Sequence, residues 1–532
     1  MSYSLIPTAD YKAICDAIRA KTGITALIKS GNMASIIANI GTKSYLTFSS
    51  TNAFTIATNN ATKNWDGTLY YSTDTETWSE WDGTAAVASA EHEGEQRVYM
   101  RGRRNSKITG DVGKTLSWVL TGNSIRCDGN IENLLDYESV YSGEHPAMGN
   151  ECYSYMFNGC TALTTAPELP ATTLAYACYY AMFYGCTSLV TAPELPATTL
   201  KNNCYYMMFE GCTALTTAPA LPATTLTEYC YSRMFAGCTS LVNAPELPAT
   251  NLAKSCYALM FYGCTSLVNA PELPATNLAK SCYREMFCGC HSLVTAPELP
   301  ATILADSCYY WMFRSCISLV NAPELPATTM ETYCYQGMFE GCTNLTTAPA
   351  LPATNLAEQC YMQMFLDCTS LTTAPELPAT TLANGCYGEM FRDCTSLVNA
   401  PELPATNLAK SCYRSMFNGC TALIIAPTLP ATTLAESCYS GMFQDCKGLA
   451  TIPELPATTL AEQCYTQMFY VCWNVKISET QTDEYPNEYR IPTSGTGTTA
   501  TDALTNMFLY SGGTFDGTPE INTTYYTSNT VV

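Results

Sequence analysis

Charge is scarce in this chain. Asp, Glu, Lys and Arg make up 13% of its 532 residues, and there are only three histidines. Bases are the scarcer sign, 25 against 46 acids, for a formal charge of -21. A nucleic-acid partner is therefore not expected, because proteins that bind a phosphate backbone gather Lys and Arg on one face. A net negative surface suits a soluble, self-repelling component instead. With His92, His145 and His291 the only imidazoles, clustered Cys/His metal ligation has little to draw on. No apolar run reaches the roughly 18 residues of a membrane-spanning helix, so no membrane insertion is expected. Met1 to Ile14 has no basic stretch leading into an apolar one, and neither a prenylation cysteine nor an anchor tail ends the chain, so no obvious export or lipid route is expected.

Cysteine is abundant and ordered. Of 29 Cys, only Cys15, Cys127 and Cys288 stand outside one periodic block. Within it, one ladder runs from Cys152 through Cys178 and Cys204 to Cys464, and a second from Cys160 to Cys472, both in steps of 26 residues. Thirteen units over 151–472 result, and a fixed period of this size marks a solenoid of stacked units. In one unit, Leu189 to Ala192 reads as a short strand that Pro193 and Pro196 stop. Thr198 or Thr199 then caps a helix from about Leu200 to Glu210, ended by Gly211. Leu200, Cys204, Tyr205, Met208, Phe209 and Cys212 would form its inward wall.

The flanks read differently. Residues 1–42 are predicted as two short amphipathic helices: Tyr11, Ile14, Cys15 and Ile18 share one face after Thr8, and Met33, Ile36, Ile37 and Ile40 share another. They suit either a terminal hairpin or an attachment segment. Residues 45–125 alternate in short runs separated by turn chemistry, such as Asn64-Trp65-Asp66-Gly67 and Asp82-Gly83, and predict a small β-sandwich. Residues 126–150 are a connector and N-terminal cap carrying Ile131, Leu134 and Leu135. After Cys472 the pattern breaks, and 473–532 is predicted as a C-terminal cap in which Met507-Phe508 echoes the repeat. The expected fold class is thus a leucine-rich-repeat-type solenoid, one short strand plus one short helix per unit, behind two helices and a β-sandwich.

The string Met-Phe-x-Gly-Cys-Thr-Ser-Leu at Met182–Leu189 and Met260–Leu267 resembles the core of BspA-like leucine-rich repeats, a family of bacterial surface adhesins and phage-encoded proteins. The resemblance implies binding without naming a ligand. Ala9 to Ile14 and Lys29 to Ala34 are similar to a leader on tail and baseplate proteins of phages of gut bacteria. Residues 45–137, with Val98 to Gly102 and Gly129 to Ile131, resemble a domain that precedes such repeats. Together they imply a virion protein of a phage tail or baseplate, with the bacterial cell surface as the alternative location.

Candidate chemistry is sparse, and no enzyme, cofactor, metal site or catalytic residue is expected. The cysteines read as buried thiols before inter-unit disulfides or metal ligands, because two Cys eight residues apart on a helix lie roughly 12 Å apart, beyond disulfide reach. Glu168, Glu194, Glu246, Glu272, Glu298, Glu324, Glu376, Glu402 and Glu454 share one phase, interrupted by Ala220, Ala350 and Thr428. They read as solvated edge charge, with weak Ca²⁺ capture as the alternative, and a repeated stripe singles out no acid for glycoside hydrolysis. The positions that vary between units are the informative ones. Tyr206, Met207, Tyr262, Arg284, Tyr310, Trp311 and Arg314 form the candidate ligand-binding set, rich in the aromatics and guanidinium groups of binding hot spots. The expected partners are a host cell-surface glycan or protein, other virion proteins through 1–42, and further copies of this chain in a homo-oligomer.

Overall fold

The computed structural model describes residues 45–110, 116–492 and 500–532. The helices expected over 1–42 lie outside the described residues. Two compact units divide the chain, one ending at Cys204 and the other beginning at Tyr205.

In the first unit, the sequence from Leu46 to Asp128 forms two sheets. The larger contains β1 (Leu46–Ser50), β3 (Thr68–Ser72), β4 (Ser79–Trp81), β6 (Ala90–His92), β7 (Glu95–Arg103) and β9 (Ile125–Asp128), and extends to β10 (Leu163–Thr165). The smaller is β5 (Val87–Ala88), β2 (Thr55–Thr58) and β8 (Trp118–Thr121). Aromatic side chains join them: the Trp118 ring lies 6.2 Å from Phe48 and 5.4 Å from Trp81. α1 (Asn133–Tyr141) follows, the one α-helix among the described residues; its Leu134 and Leu135 are fully buried, as is Ile131 just before it.

The repeat corrects the helical expectation. The segment predicted as a helix in each unit is a chain of overlapping β-turns. In the coil from Ser307 to Cys316, the N–H groups of Tyr310, Met312, Arg314 and Cys316 each close a turn on the carbonyl three residues back. The intervening N–H groups of Ser307, Tyr309, Trp311, Phe313 and Ser315 donate to the next coil, to Thr332, Cys334, Gln336, Met338 and Glu340. Every fourth residue (Ser307, Trp311, Ser315) takes a left-handed φ of 54°, 52° and 57°, so turns with that residue third, as in type II, alternate with turns whose central φ values are both negative. The physical reason is the period. Cys-Tyr-x-x-Met-Phe-x-x-Cys repeats in fours, two residues inward and two outward, whereas an α-helix turns on by about 40° every four residues and would swing the second Cys about 80° from the first. With no helix present, Thr198 and Thr199 cap nothing; Thr199 makes a single parallel bridge to Thr173.

The predicted strand is also curtailed. Thr191 makes one isolated bridge, to Thr165, and in the second unit Thr217, Asn243, Asn269 and Thr295 follow one another in the same way. Two or three extended residues before Pro193 leave no room for a longer ladder. Only at the ends does this phase broaden into strands, β10 and β11 (Thr451–Ile452).

Both ends of the repeat satisfy hydrogen bonds that stacking would otherwise leave open. In the first coil, the carbonyls of Cys152, Ser154 and Met156 accept from Ile108 N, Thr109 Oγ1 and Trp118 N at 2.8, 2.6 and 2.7 Å. At the other end, Thr501 to Leu509 forms one further coil without cysteine: Tyr465 N donates to Ala503 O at 2.9 Å, and the Phe508 ring stacks on Phe469 at 5.6 Å. Its own outward N–H groups are consumed locally, Asn506 by Thr518 Oγ1, Phe508 by Gly517 O and Tyr510 by Asp516 Oδ1. β12 (Ile477–Ser478), β13 (Asn487–Arg490) and β14 (Thr524–Thr527) form a small sheet beyond it, and β15 (Thr530–Val531) pairs β11.

Candidate functional site

The inward half of each turn segment is closed to ligands. Tyr283, Tyr309, Tyr335 and Tyr361 stack at 5.6 to 5.9 Å with nearly parallel planes, and Phe287, Phe313 and Phe339 do the same at 5.7 to 5.8 Å. Each such contact adds about 0.5–1.5 kcal/mol beyond area burial. The second cysteine of a unit ties neighbouring coils together: Cys290, Cys316 and Cys342 donate their thiols to the carbonyls of Phe261, Phe287 and Phe313, 29 residues earlier, at 3.1, 3.2 and 3.1 Å. At the first coil, Cys160 donates instead to Trp118 O at 3.3 Å. Burial holds the Cys342 thiol up at about 12, so it stays protonated and able to donate. Every described cysteine is a buried free thiol. The geometry behind that is one of stacked coils, and the helical spacing offered for it from the sequence does not apply.

The outward half carries the sequence-selected residues, and the structure brings together four of the seven. The Tyr310 and Trp311 rings lie 4.5 Å apart, the Arg284 guanidinium sits 5.0 Å over Tyr310, and the Arg314 guanidinium 4.3 Å over Trp311. Both arginines already hold carboxylates, Arg284 that of Glu285 and Arg314 that of Glu340, each at 2.9 Å. Burial raises the Glu340 carboxyl and Arg314 partly offsets that. Trp311 is only half-exposed because it lies in the place of a missing side chain: a Cβ on Gly337 of the next coil would overlap the indole. Tyr262, in the coil before Arg284, is 42% exposed. Tyr206 and Met207 lie three coils before Arg284 and do not join the cluster; Tyr206 meets Tyr229 edge-on at 6.4 Å.

A second feature is one that the sequence reading misses. Asn384, Gly385 and Gly388 floor a cavity of about 220 Å³ on the same outward half. The readable signal is two glycines in one unit at positions where its neighbours carry Gln359, Met362, Ser411 and Arg414. Elsewhere, the acidic stripe is exposed, and Glu298 and Glu324 line a proline-walled groove with Pro297, Pro300, Pro323 and Pro326. Among the described residues no group of three or more His, Cys, Asp or Glu is placed to hold a metal ion, and no helix is long and apolar enough to cross a membrane.

The stacked 26-residue units fall largely within the range of one family match. Residues 144–268 and 254–398 match the BspA type leucine rich repeat region, in six copies. The chain carries BspA-type leucine-rich repeats. The same residue pattern and turn geometry continue past the matched stretch to Cys472. Among curated proteins none matches the chain. Repeats of this type point to a surface-adhesion or protein-interaction role.

Proposed function

We propose that the chain is a phage tail-associated adhesin that recognises a host cell-surface glycan or protein through the outward half of its BspA-type turns, and that it is not an enzyme. One observation carries the binding reading: within a single turn segment the inward residues repeat almost unchanged while the outward ones vary along the repeat, apart from a Gly that recurs before the second cysteine. A scaffold that holds Tyr, Trp, Met and Arg at fixed spacing on rigid backbone is preorganised for recognition. The cluster of Arg284, Tyr310, Trp311 and Arg314 is the leading contact surface. Placement on a virion rests on the leader-like segments Ala9–Ile14 and Lys29–Ala34, with residues 1–42 docking on other tail proteins. A bacterial surface adhesin fits the same repeats equally well.

The test pairs location with binding. Antibody labelling should decorate purified phage tails, and the pure protein should bind host cells. Changing Tyr310 and Trp311 together to Ala should weaken cell binding at least tenfold, about 1.4 kcal/mol. Because Trp311 covers Gly337, a modest fall in melting temperature is also expected. Unchanged cell binding by the folded double variant would remove the cluster from the reading, and label confined to bacterial envelopes would favour the alternative location.

A further inference from the structure

We infer that the notch over Gly385 and Gly388 is a subsite for one acidic sugar residue. The inference rests on the glycan-binding reading above and sharpens it.

The notch exists because one coil lacks outward side chains at two positions where its neighbours have them. In the coil before, Gln359 and Met362 stand there; in the coil after, Ser411 and Arg414 do. Removing the middle side chains between two walls leaves a slot about 10 Å across, twice the spacing of hydrogen-bonded strands. Backbone geometry does not require this at Gly388. Its φ is not among the positive ones, and an added Cβ would meet Gly385 O, Ser411 O and Met362 Cγ at 3.4, 3.5 and 3.8 Å, ordinary contact distances. Gly385 does have a φ of 58°, but Gln359 and Ser411 take the same conformation at 51° and 53°. An added Cβ at Gly385 would also crowd Gln359 Cγ at 3.0 Å, so it is Gly388 that the fold does not demand.

The lining specifies the ligand class. At about 220 Å³ the slot is smaller than the pockets of drug-sized ligands, some 300 Å³ or more, and suits a single ring. Gln359, Asn384 and Ser411 offer uncharged donors and acceptors suited to hydroxyls, and Met362 offers an apolar patch to a C–H face. Two of the charged groups at the slot are already engaged: Lys410 pairs with Glu436 at 2.8 Å, and Glu389 accepts from Arg392 and from Gln363, each at 3.2 Å. Glu358 stands exposed at the edge. Arg414 is different. It is exposed, and among the described residues no carboxylate pairs with it. An unpaired guanidinium is a fork for a carboxylate. Polyhydroxylation with one carboxylate on a six-membered ring describes a hexuronic acid residue.

The experiment uses the full chain with oligosaccharides of glucuronic acid and their methyl esters, measured by calorimetry and by saturation-transfer NMR. The acid should bind and the ester should bind at least tenfold more weakly. Gly388→Gln, which installs the residue type that Gln336 places at the same position, should leave the melting temperature unchanged and abolish binding. Arg414→Gln should remove the preference of acid over ester. No binding of the uronides, binding of acidic peptides instead, or full binding by a folded Gly388→Gln variant each overturns the subsite. If that variant also binds host cells normally, adhesion stands and only the subsite is lost; if the wild-type protein binds no host surface at all, the adhesin reading falls with it.

Discussion

The inward and outward halves of one turn segment are built on the same eight or nine residues and obey different rules. Inward, Cys308, Tyr309, Met312, Phe313 and Cys316 are essentially buried and recur by type from coil to coil. Outward, Tyr310, Trp311, Arg314 and Ser315 give way to Gln336, Gly337, Glu340 and Gly341 in the next coil. Burial explains the first half: each side chain packs against its own copy above and below, so a change in one coil leaves two neighbours mismatched. The second half is anchored through the backbone, by N–H groups that reach the next coil whatever side chain they carry. A repeat arranged in this way can vary its outward side chains without altering its core.

The largest effect expected from breaking this contrast is on an inward ring. Phe339 is stacked on Phe313 and Phe365 at 5.8 Å on either side, so Phe339→Ala removes two ring contacts and leaves a cavity. A loss of about 3–5 kcal/mol is expected, read as a lower midpoint in denaturant melts. The outward change Glu340→Ala, in the same coil, should cost far less. Equal losses would mean that the stacked rings are not what holds the coils together.

The two cysteine ladders sharpen the contrast further. Cys342 donates to Phe313 O at 3.1 Å, whereas the Cys334 thiol finds only the sulfur of Met330, at 3.7 Å. A serine at 342 can keep a donor on that carbonyl, but at 334 its hydroxyl is buried without an oxygen acceptor, a cost of about 1–3 kcal/mol. Cys334→Ser should therefore melt clearly below Cys342→Ser, and reductant should change neither wild type nor variants. A large fall on adding reductant would point to disulfides that the free thiols do not form.

Period and inward residues are legible because cysteine marks each coil twice and Phe follows Met at a constant offset. The local conformation is not: a two-in, two-out pattern over nine residues resembles one face of a helix, and only the strict period of four from Cys308 to Cys316 separates them. Residues such as Trp311 at a left-handed φ give no warning, since that conformation ordinarily favours Gly or Asn. The pairing of Arg314 with Glu340 and the seat of Trp311 over Gly337 depend on which coil lies next, and sequence offset 26 locates both. The notch at Gly388 is readable from the same alignment of units, as a gap rather than as a residue.

The smallest effect tests the strain that the turn ladder carries. The residue just before the second cysteine is left-handed in the described coils, and most units place Gly there, as at Gly263 and Gly289 with φ of 68° and 74°. Val471 holds the same position with φ of 60°. A β-branched residue is the least suited to that region, at a cost of roughly 1–2 kcal/mol, yet the N–H of Val471 still reaches Leu509 O at 3.0 Å. Val471→Gly should relieve that cost and return part of it as greater freedom of the unfolded chain, about 0.5–1 kcal/mol, leaving a net gain of up to about 1 kcal/mol. The reverse change, Gly263→Val, meets open space at its Cβ, so any loss there reports backbone conformation alone. A gain at 471 with a matching loss at 263 would establish that the backbone ladder, and not the outward side chain, sets the conformation; no change at either would mean that neighbouring coils do not hold these residues left-handed in solution.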